Sequence, residues 1–155
     1  SIGRKFFTDS GAFGDTNLEY NLGSLFIIEN DVLRPIAYKC LANPTDLVMS
    51  NNENCIFVCE MFKNQIIRYV EINNKGNKKS GIFHGNIFYR FNGCVGPTGI
   101  TIDDDDNLYI VRYEYKYLNN PGYLTIIDSK GKLINNIIIN PKYSQLTGIL
   151  YNNNK

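Results

Sequence analysis

Three charged residues recur at matching places along the chain: Asp9, Glu60 and Arg112, separated by 51 (60 − 9) and 52 (112 − 60) positions. Each ends a short apolar and aromatic run, KFFTD, CIFVCE or LYIVR. Gathered at one rim, two carboxylates and a guanidinium could hold a polar ligand, and one carboxylate could take a proton as a general base. The competing reading is structural, because ion pairs that stitch repeated units together use the same residue types. Two hydroxyls form a second set. Thr45 and Thr98 each follow the proline that opens a unit, in PTDLVMS and PTGITID.

Other chemistry-bearing residues narrow the field. Asp103 to Asp106 offer carboxylates for calcium but lack the turn glycine and distal Glu of an EF-hand, so they read as a solvated hairpin tip. The single histidine, His84, has no Ser or Cys at a triad's spacing and reads as a surface residue. Cys40, Cys55, Cys59 and Cys94 match no zinc pattern. They read as reduced, small core residues, with Cys55 and Cys59 on one face of a strand. The one apparent glycosylation sequon, Asn43-Pro44-Thr45, is blocked by its proline, and a reducing, cytoplasmic setting is favoured. Tyr113, Tyr115 and Tyr117 alternate on one face, where they either pack between sheets or wall a pocket. No residue is assigned as catalytic, and no metal is predicted.

The chain has 155 residues, 43% of them hydrophobic and 20% charged, with a formal net charge of +1. That composition supports one well-buried core rather than disorder. It offers no concentrated basic face, so neither a nucleic acid nor a membrane surface is expected as partner. The apolar runs are too short for a membrane-spanning helix. A chain that begins Ser-Ile-Gly-Arg-Lys, without Met and with no signal-peptide core, reads as a piece of a longer protein.

The elements that must position these residues are strands. Pro97 to Arg112, PTGITIDDDDNLYIVR, holds two apolar runs around an acidic turn and predicts a β-hairpin. Pro44 to Glu60, PTDLVMSNNENCIFVCE, repeats it, and half-copies stand at Lys5 to Asp9 and Leu146 to Tyr151. Thr45, Thr98 and Thr147 are 53 (98 − 45) and 49 (147 − 98) apart, and a period near 50 made of strands predicts an all-β propeller. Twelve strands are expected, in blades spanning about 5–40, 44–92 and 97–140, with 145–151 a spare inner strand. Residues 73–85, polar and glycine-rich, read as a surface loop. Pro35 places its strand at an edge, and Gly131 marks a tight turn needing positive φ. Three blades fall short of the usual four to eight. The chain is therefore half of a six-bladed propeller, or a homodimer completes the ring.

The residues also resemble a known superfamily. FFTDSG at Phe6 to Gly11, then GSLFII, LANPTDLVMS and CEMFKNQIIRYVE, resemble the strictosidine-synthase-like proteins and the senescence-marker-protein/gluconolactonase lactonases. The likeness covers nearly the whole chain, about three of six blades. NHL-repeat propellers share the pattern of Pro97 to Ile110. The resemblance implies a hydrolase of the lactonase or esterase kind, with a small-molecule site at the mouth of a central channel. In the lactonases a divalent metal sits there, and two of its ligands follow the blade-opening proline. Here those places hold Thr45 and Thr98, poor substitutes for carboxylates around a hard cation. A calcium ion would have to be supplied by blades outside this chain. The ligand-binding candidates are Asp9, Glu60, Arg112, Thr45 and Thr98. The alternative is a non-catalytic NHL-like propeller that binds a protein partner.

Overall fold

The computed structural model describes residues 3–12, 17–74, 78–93, 96–113, 120–143 and 145–152. They form three antiparallel sheets and no α-helix. Sheet I contains β1 (Lys5–Asp9), β2 (Gly23–Glu29) and β3 (Val32–Leu41), in that order. Sheet II contains β4 (Pro44–Met49), β5 (Cys55–Glu60), β6 (Gln65–Asn74) and β7 (Lys78–Arg90). Sheet III contains β8 (Gly96–Ile102), β9 (Leu108–Tyr113), β10 (Gly122–Ile127) and β11 (Leu133–Ile139). Each sheet is a meander of strands in chain order, and the three together are a partial β-propeller.

The turns follow from local chemistry. Asn30 and Asp31 both have positive φ (51° and 61°) and join β2 to β3 as a two-residue hairpin, the backbone twist that short side-chain acceptors tolerate best. Asp128 and Asp103 build matching turns. In each, Oδ1 accepts two backbone amides, from Lys130 and Lys132 and from Asp105 and Asn107. Gly131 takes the positive φ (85°) that its turn requires. Pro35 lies on β3, the outer edge of sheet I, where its missing N–H costs no ladder bond.

Packing explains why the second strand of a unit reads as a continuous apolar run. Strand β5 is covered on both faces. Ile56 and Val58 enter a cluster with Leu25, Leu41 and Tyr69, between sheets I and II. Phe57 and Cys59, pointing the other way, join Ile66, Ile100, Leu108, Ile110 and Ile127 between sheets II and III. Cys55 packs against that second cluster. A buried ion network fastens sheets I and II: Arg4 Nη1 donates to both oxygens of Glu71 at 2.9 and 2.8 Å, and the Gly81 amide donates to Glu71 Oε1.

Several expectations need correction. The span 73–85 is not a surface loop but carries the end of β6 and the start of β7. Its ladder reaches Asn74↔Lys78, and residues 75–77 lie outside the described set. His84 is exposed as expected, but it stands on β7 opposite Val70. Residues 146–151 lie beside β8 but pair with it in no ladder, so eleven strands rather than twelve form among the described residues. Asp103 is buried, although Asp104 and Asp105 beside it are exposed. Cys40 is exposed rather than in the core. Cys94, Tyr115 and Tyr117 lie outside the described residues.

Candidate functional site

Pairing places Asp9, Glu60 and Arg112 at one structural position, at or next to the ends of β1, β5 and β9. Asp9 faces Ser24, Glu60 faces Pro44 and Gln65, and Arg112 faces Pro97 and Tyr123. Among the described residues, no hydrogen bond or ion pair links any one of the three to another. Each has a different environment.

Glu60 is completely buried and its carboxylate is fully used. Oε1 accepts the Ala42 amide at 2.7 Å and Lys63 Nζ at 3.0 Å, and Oε2 accepts Gln65 Nε2 at 2.5 Å. Gln65 Oε1 in turn accepts Arg90 Nε and Nη2 at 3.3 and 3.0 Å. The Met61 amide donates to the Asn43 carbonyl and the Phe62 amide to that of Ala42. The carboxylate therefore clamps the crossover between sheets I and II, as the charge-assisted bonds of a buried acid require. Burial first, then the charge of Glu60, pushes the nearby Cys40 thiol up. Tyr69 is raised by its own burial, then by Cys40 and Glu60.

Arg112 is a buried cation held by rings. Its guanidinium carbon lies 4.4 Å from the Phe91 centroid and 5.2 Å from that of Tyr123. Such stacking partly replaces lost hydration. Its Nε is buried with no hydrogen-bond partner, and among the described residues no carboxylate pairs with the group. Burial pulls its pKa down from the ordinary value, partly offset by Tyr123 and Tyr89. Asp9 is exposed, with Oδ1 accepting the Gly11 amide at 3.0 Å.

Thr45 and Thr98 are joined to backbone rather than aimed at a ligand. Thr45 Oγ1 donates to the Pro97 carbonyl at 3.0 Å, across from sheet II to sheet III. Thr98 Oγ1 lies within bonding distance of the Leu146 carbonyl and, at 3.1 Å, of the Val111 carbonyl. The two hydroxyls make the same rung one unit apart, each reaching the residue before the next unit's threonine. Asp46 Oδ2 accepts the Ile100 amide at 2.9 Å, and Thr101 Oγ1 accepts the Tyr151 amide at 3.1 Å. Innermost strands are thus tied by side chains, not by ladders.

These positions do not fit a hard cation. Calcium wants several oxygens with carboxylates among them, whereas the threonine hydroxyls already donate to carbonyls and the oxygens of Glu60 and Asp46 are taken. Among the described residues no group of three His, Cys, Asp or Glu could hold a metal. The acidic tip is committed as well. Asp103 Oδ2 accepts Asn107 Nδ2 and the Tyr109 hydroxyl, Asp106 Oδ1 accepts the Asn51 amide, and Asn51 Nδ2 donates to the Asp103 carbonyl.

Sequence reasoning missed Lys63, Gln65 and Arg90 around Glu60, and the Phe91–Tyr123 cage around Arg112. The repeat does not signal them, because they come from the turn after β5, from β6, from the end of β7 and the residue after it, and from β10. The hydroxyl rung did have a signal, a threonine at the same place in three units.

No protein-family model matches the chain. A lactonase, drp35, of Staphylococcus saprophyticus is 28% identical over 141 residues, which are 90% of this chain and 40% of that protein. Regucalcin, a calcium-binding protein of Agrobacterium tumefaciens, superposes with a TM-score of 0.64 at 13% identity, over 83% of this chain and 40% of that one. A provisionally assigned gluconolactonase superposes with a TM-score of 0.66 at 14% identity, over 98% of this chain and 49% of the other. The chain thus spans less than half the length of each.

Proposed function

We propose that this partial β-propeller, which resembles the senescence-marker-protein/gluconolactonase superfamily, contributes half of a metal-independent, hydrolase-like small-molecule site at the mouth of the propeller channel. One observation carries this reading: Arg112 is a buried, ring-caged cation at the rim position with no carboxylate partner among the described residues. A desolvated guanidinium favours an anionic group strongly, because little water competes for it. In lactone cleavage, water oxygen bonds to the carbonyl carbon, the ring C–O bond breaks, and a hydroxy carboxylate leaves. Arg112 would stabilise the negative charge that develops on the carbonyl oxygen and then pair with the product carboxylate. Asp9 is the solvent-exposed carboxylate of the set, and in this reading it takes the proton from the attacking water and returns it to the departing ring oxygen, which becomes the product hydroxyl. Glu60, saturated by Ala42, Lys63 and Gln65, holds the rim and does no chemistry.

The test is hydrolysis of a panel of small lactones, with chelator and with added calcium, by the wild type and by Arg112→Met and Asp9→Asn. Turnover indifferent to chelator and lost in both variants, with circular dichroism unchanged, is the expected result. Turnover that depends on calcium would overturn the metal-independent reading. No turnover by the assembled ring would transfer the chain to the second class, a scaffold binding a protein through its loops.

A further inference from the structure

Arg112, Tyr123 and Ile138 form one cross-strand row on sheet III. Tyr123 pairs with Arg112 of β9 on one side and with Ile138 of β11 on the other, so the three side chains share a face. That face is turned toward sheet II, because Ile127, on the same side of β10, packs with Phe57 and Ile66. The row therefore lies between two consecutive sheets of the described chain.

It runs from a buried charge to exposed hydrocarbon. Arg112 is 7% exposed, Tyr123 is half-buried and Ile138 is 67% exposed. At the inner end the guanidinium carbon lies 4.4 Å from the Phe91 centroid, Nε has no hydrogen-bond partner, and among the described residues no carboxylate pairs with the group. Tyr89 extends the aromatic wall, its ring centroid 5.0 Å from that of Phe91.

We propose that this row binds a carboxylate with an unbranched aliphatic tail, and with it lactones that carry such a tail. The head pairs with Arg112, and the tail lies outward over Tyr123 to Ile138. The inference rests on the reading of Arg112 as the anion-binding group and names the ligand class that this reading leaves open.

Three features carry the assignment. A guanidinium with little water around it takes up a carboxylate in preference to a neutral head. Neighbouring strands stand about 4.8 Å apart, so the row from β9 to β11 spans about 10 Å, the reach of an extended chain of about eight carbons. The surface beside the head is a ring followed by a branched alkyl group. It gains from covering hydrocarbon, whereas hydroxyls laid on it give up water without compensation. The next cross-strand pair on this face is engaged internally, since the Thr125 hydroxyl donates to Asn136 Oδ1 at 2.7 Å. A polyhydroxylated ligand is therefore the poorer fit.

The experiment is titration calorimetry of the wild type with butanoate, hexanoate, octanoate and gluconate, kept below the concentration at which the acids self-associate. Full burial of a methylene is worth about fourfold in affinity and half-burial about twofold. Affinity should thus rise about twofold per methylene from butanoate to octanoate, with hexanoate ahead of gluconate, its six-carbon polyhydroxylated counterpart. Arg112→Met should weaken octanoate at least tenfold with circular dichroism unchanged. Ile138→Asn, at an exposed position that the core does not need, should flatten the rise with chain length. No binding, affinity independent of chain length, or gluconate ahead of hexanoate would overturn the proposal. A rise that persists in Arg112→Met or in Ile138→Asn would overturn it as well, by placing the tail elsewhere. Binding is read apart from turnover, so the two readings fail separately. Lactone hydrolysis without the chain-length series leaves the hydrolase and removes this ligand class, and the series without hydrolysis does the reverse.

Discussion

The hydroxyl of Thr45 donates to the carbonyl of Pro97 at 3.0 Å, joining the innermost strands of two neighbouring sheets. Strands at the centre of a propeller converge without sharing a ladder, so a side chain must bridge them. Thr45→Val keeps the volume and removes the donor, leaving a partly buried carbonyl short of one bond. The expected cost is about 1–2 kcal/mol in urea unfolding, with Thr45→Ser close to wild type. A loss in Thr45→Ser with Thr45→Val close to wild type would mean that packing of the methyl group matters rather than the bond.

Glu60→Gln replaces an acceptor oxygen by a donor in a site where Ala42 N, Lys63 Nζ and Gln65 Nε2 all donate. At least one donor is left facing another, and Lys63 loses its counter-ion. Breaking a buried charged network in this way costs about 3 kcal/mol. Chemical denaturation measures it, and a loss below about 1 kcal/mol would show that the crossover does not depend on the carboxylate.

Asp103 gives a pH dependence of definite sign. Burial alone would raise its pKa, but donation by the Asn107 side chain and amide, the Asp105 amide and Tyr109 outweighs it and holds the carboxyl below its ordinary range. A depressed folded pKa contributes stability above the unfolded value, about 3.9, and loses it as pH falls through the folded value. The stability gap between wild type and Asp103→Asn should therefore shrink on acidification below about pH 4. A gap independent of pH would remove Asp103 from the acid response.

Thiol reactivity should separate the cysteines. Cys59 is fully buried, and burial first, then Asp46, pushes its thiol well up, so no thiolate is available to attack. Cys40 is exposed. Alkylation followed by peptide mass mapping should label Cys40 in the native protein and Cys59 only after denaturant is added. Native labelling of Cys59 at a comparable rate would mean that the interface between sheets II and III opens readily.

Gly99 tests the seat of the spare strand. A methyl group added there would approach the Gly148 Cα to 2.8 Å and Val111 Cγ2 to 3.0 Å, and one of those contacts is backbone. Gly99→Ala should displace residues 146–151 from β8, seen as faster proteolysis after Leu146. Unchanged proteolysis would mean that the Thr98 and Tyr151 bonds alone hold the segment.

Much of this fold was legible in the amino-acid order because a repeat states the same local rule several times. The paired runs around Asn51 and around Asp103 to Asn107, the half-copies at the two ends, and the threonines at one position in three units set the strands, their order and the propeller class. The equivalence of Asp9, Glu60 and Arg112 was legible for the same reason. Their roles were not. What saturates Glu60 comes from the bend after β3, the turn after β5, β6 and β7, and what cages Arg112 comes from Phe91, just after β7, and from Tyr123 of β10. The span 73–85 misled because its glycines and lysines suit a loop, yet a hairpin already started by Ile66 to Glu71 extends its ladder through any backbone that can hydrogen-bond. Sequence by itself therefore determined the period, the sheets and the equivalent positions of Asp9, Glu60 and Arg112, since those depend on side-chain alternation within one strand. Tertiary structure decided which of the three charges is satisfied and which is left over, because partners in space are set by the packing of sheet on sheet and no local pattern encodes them.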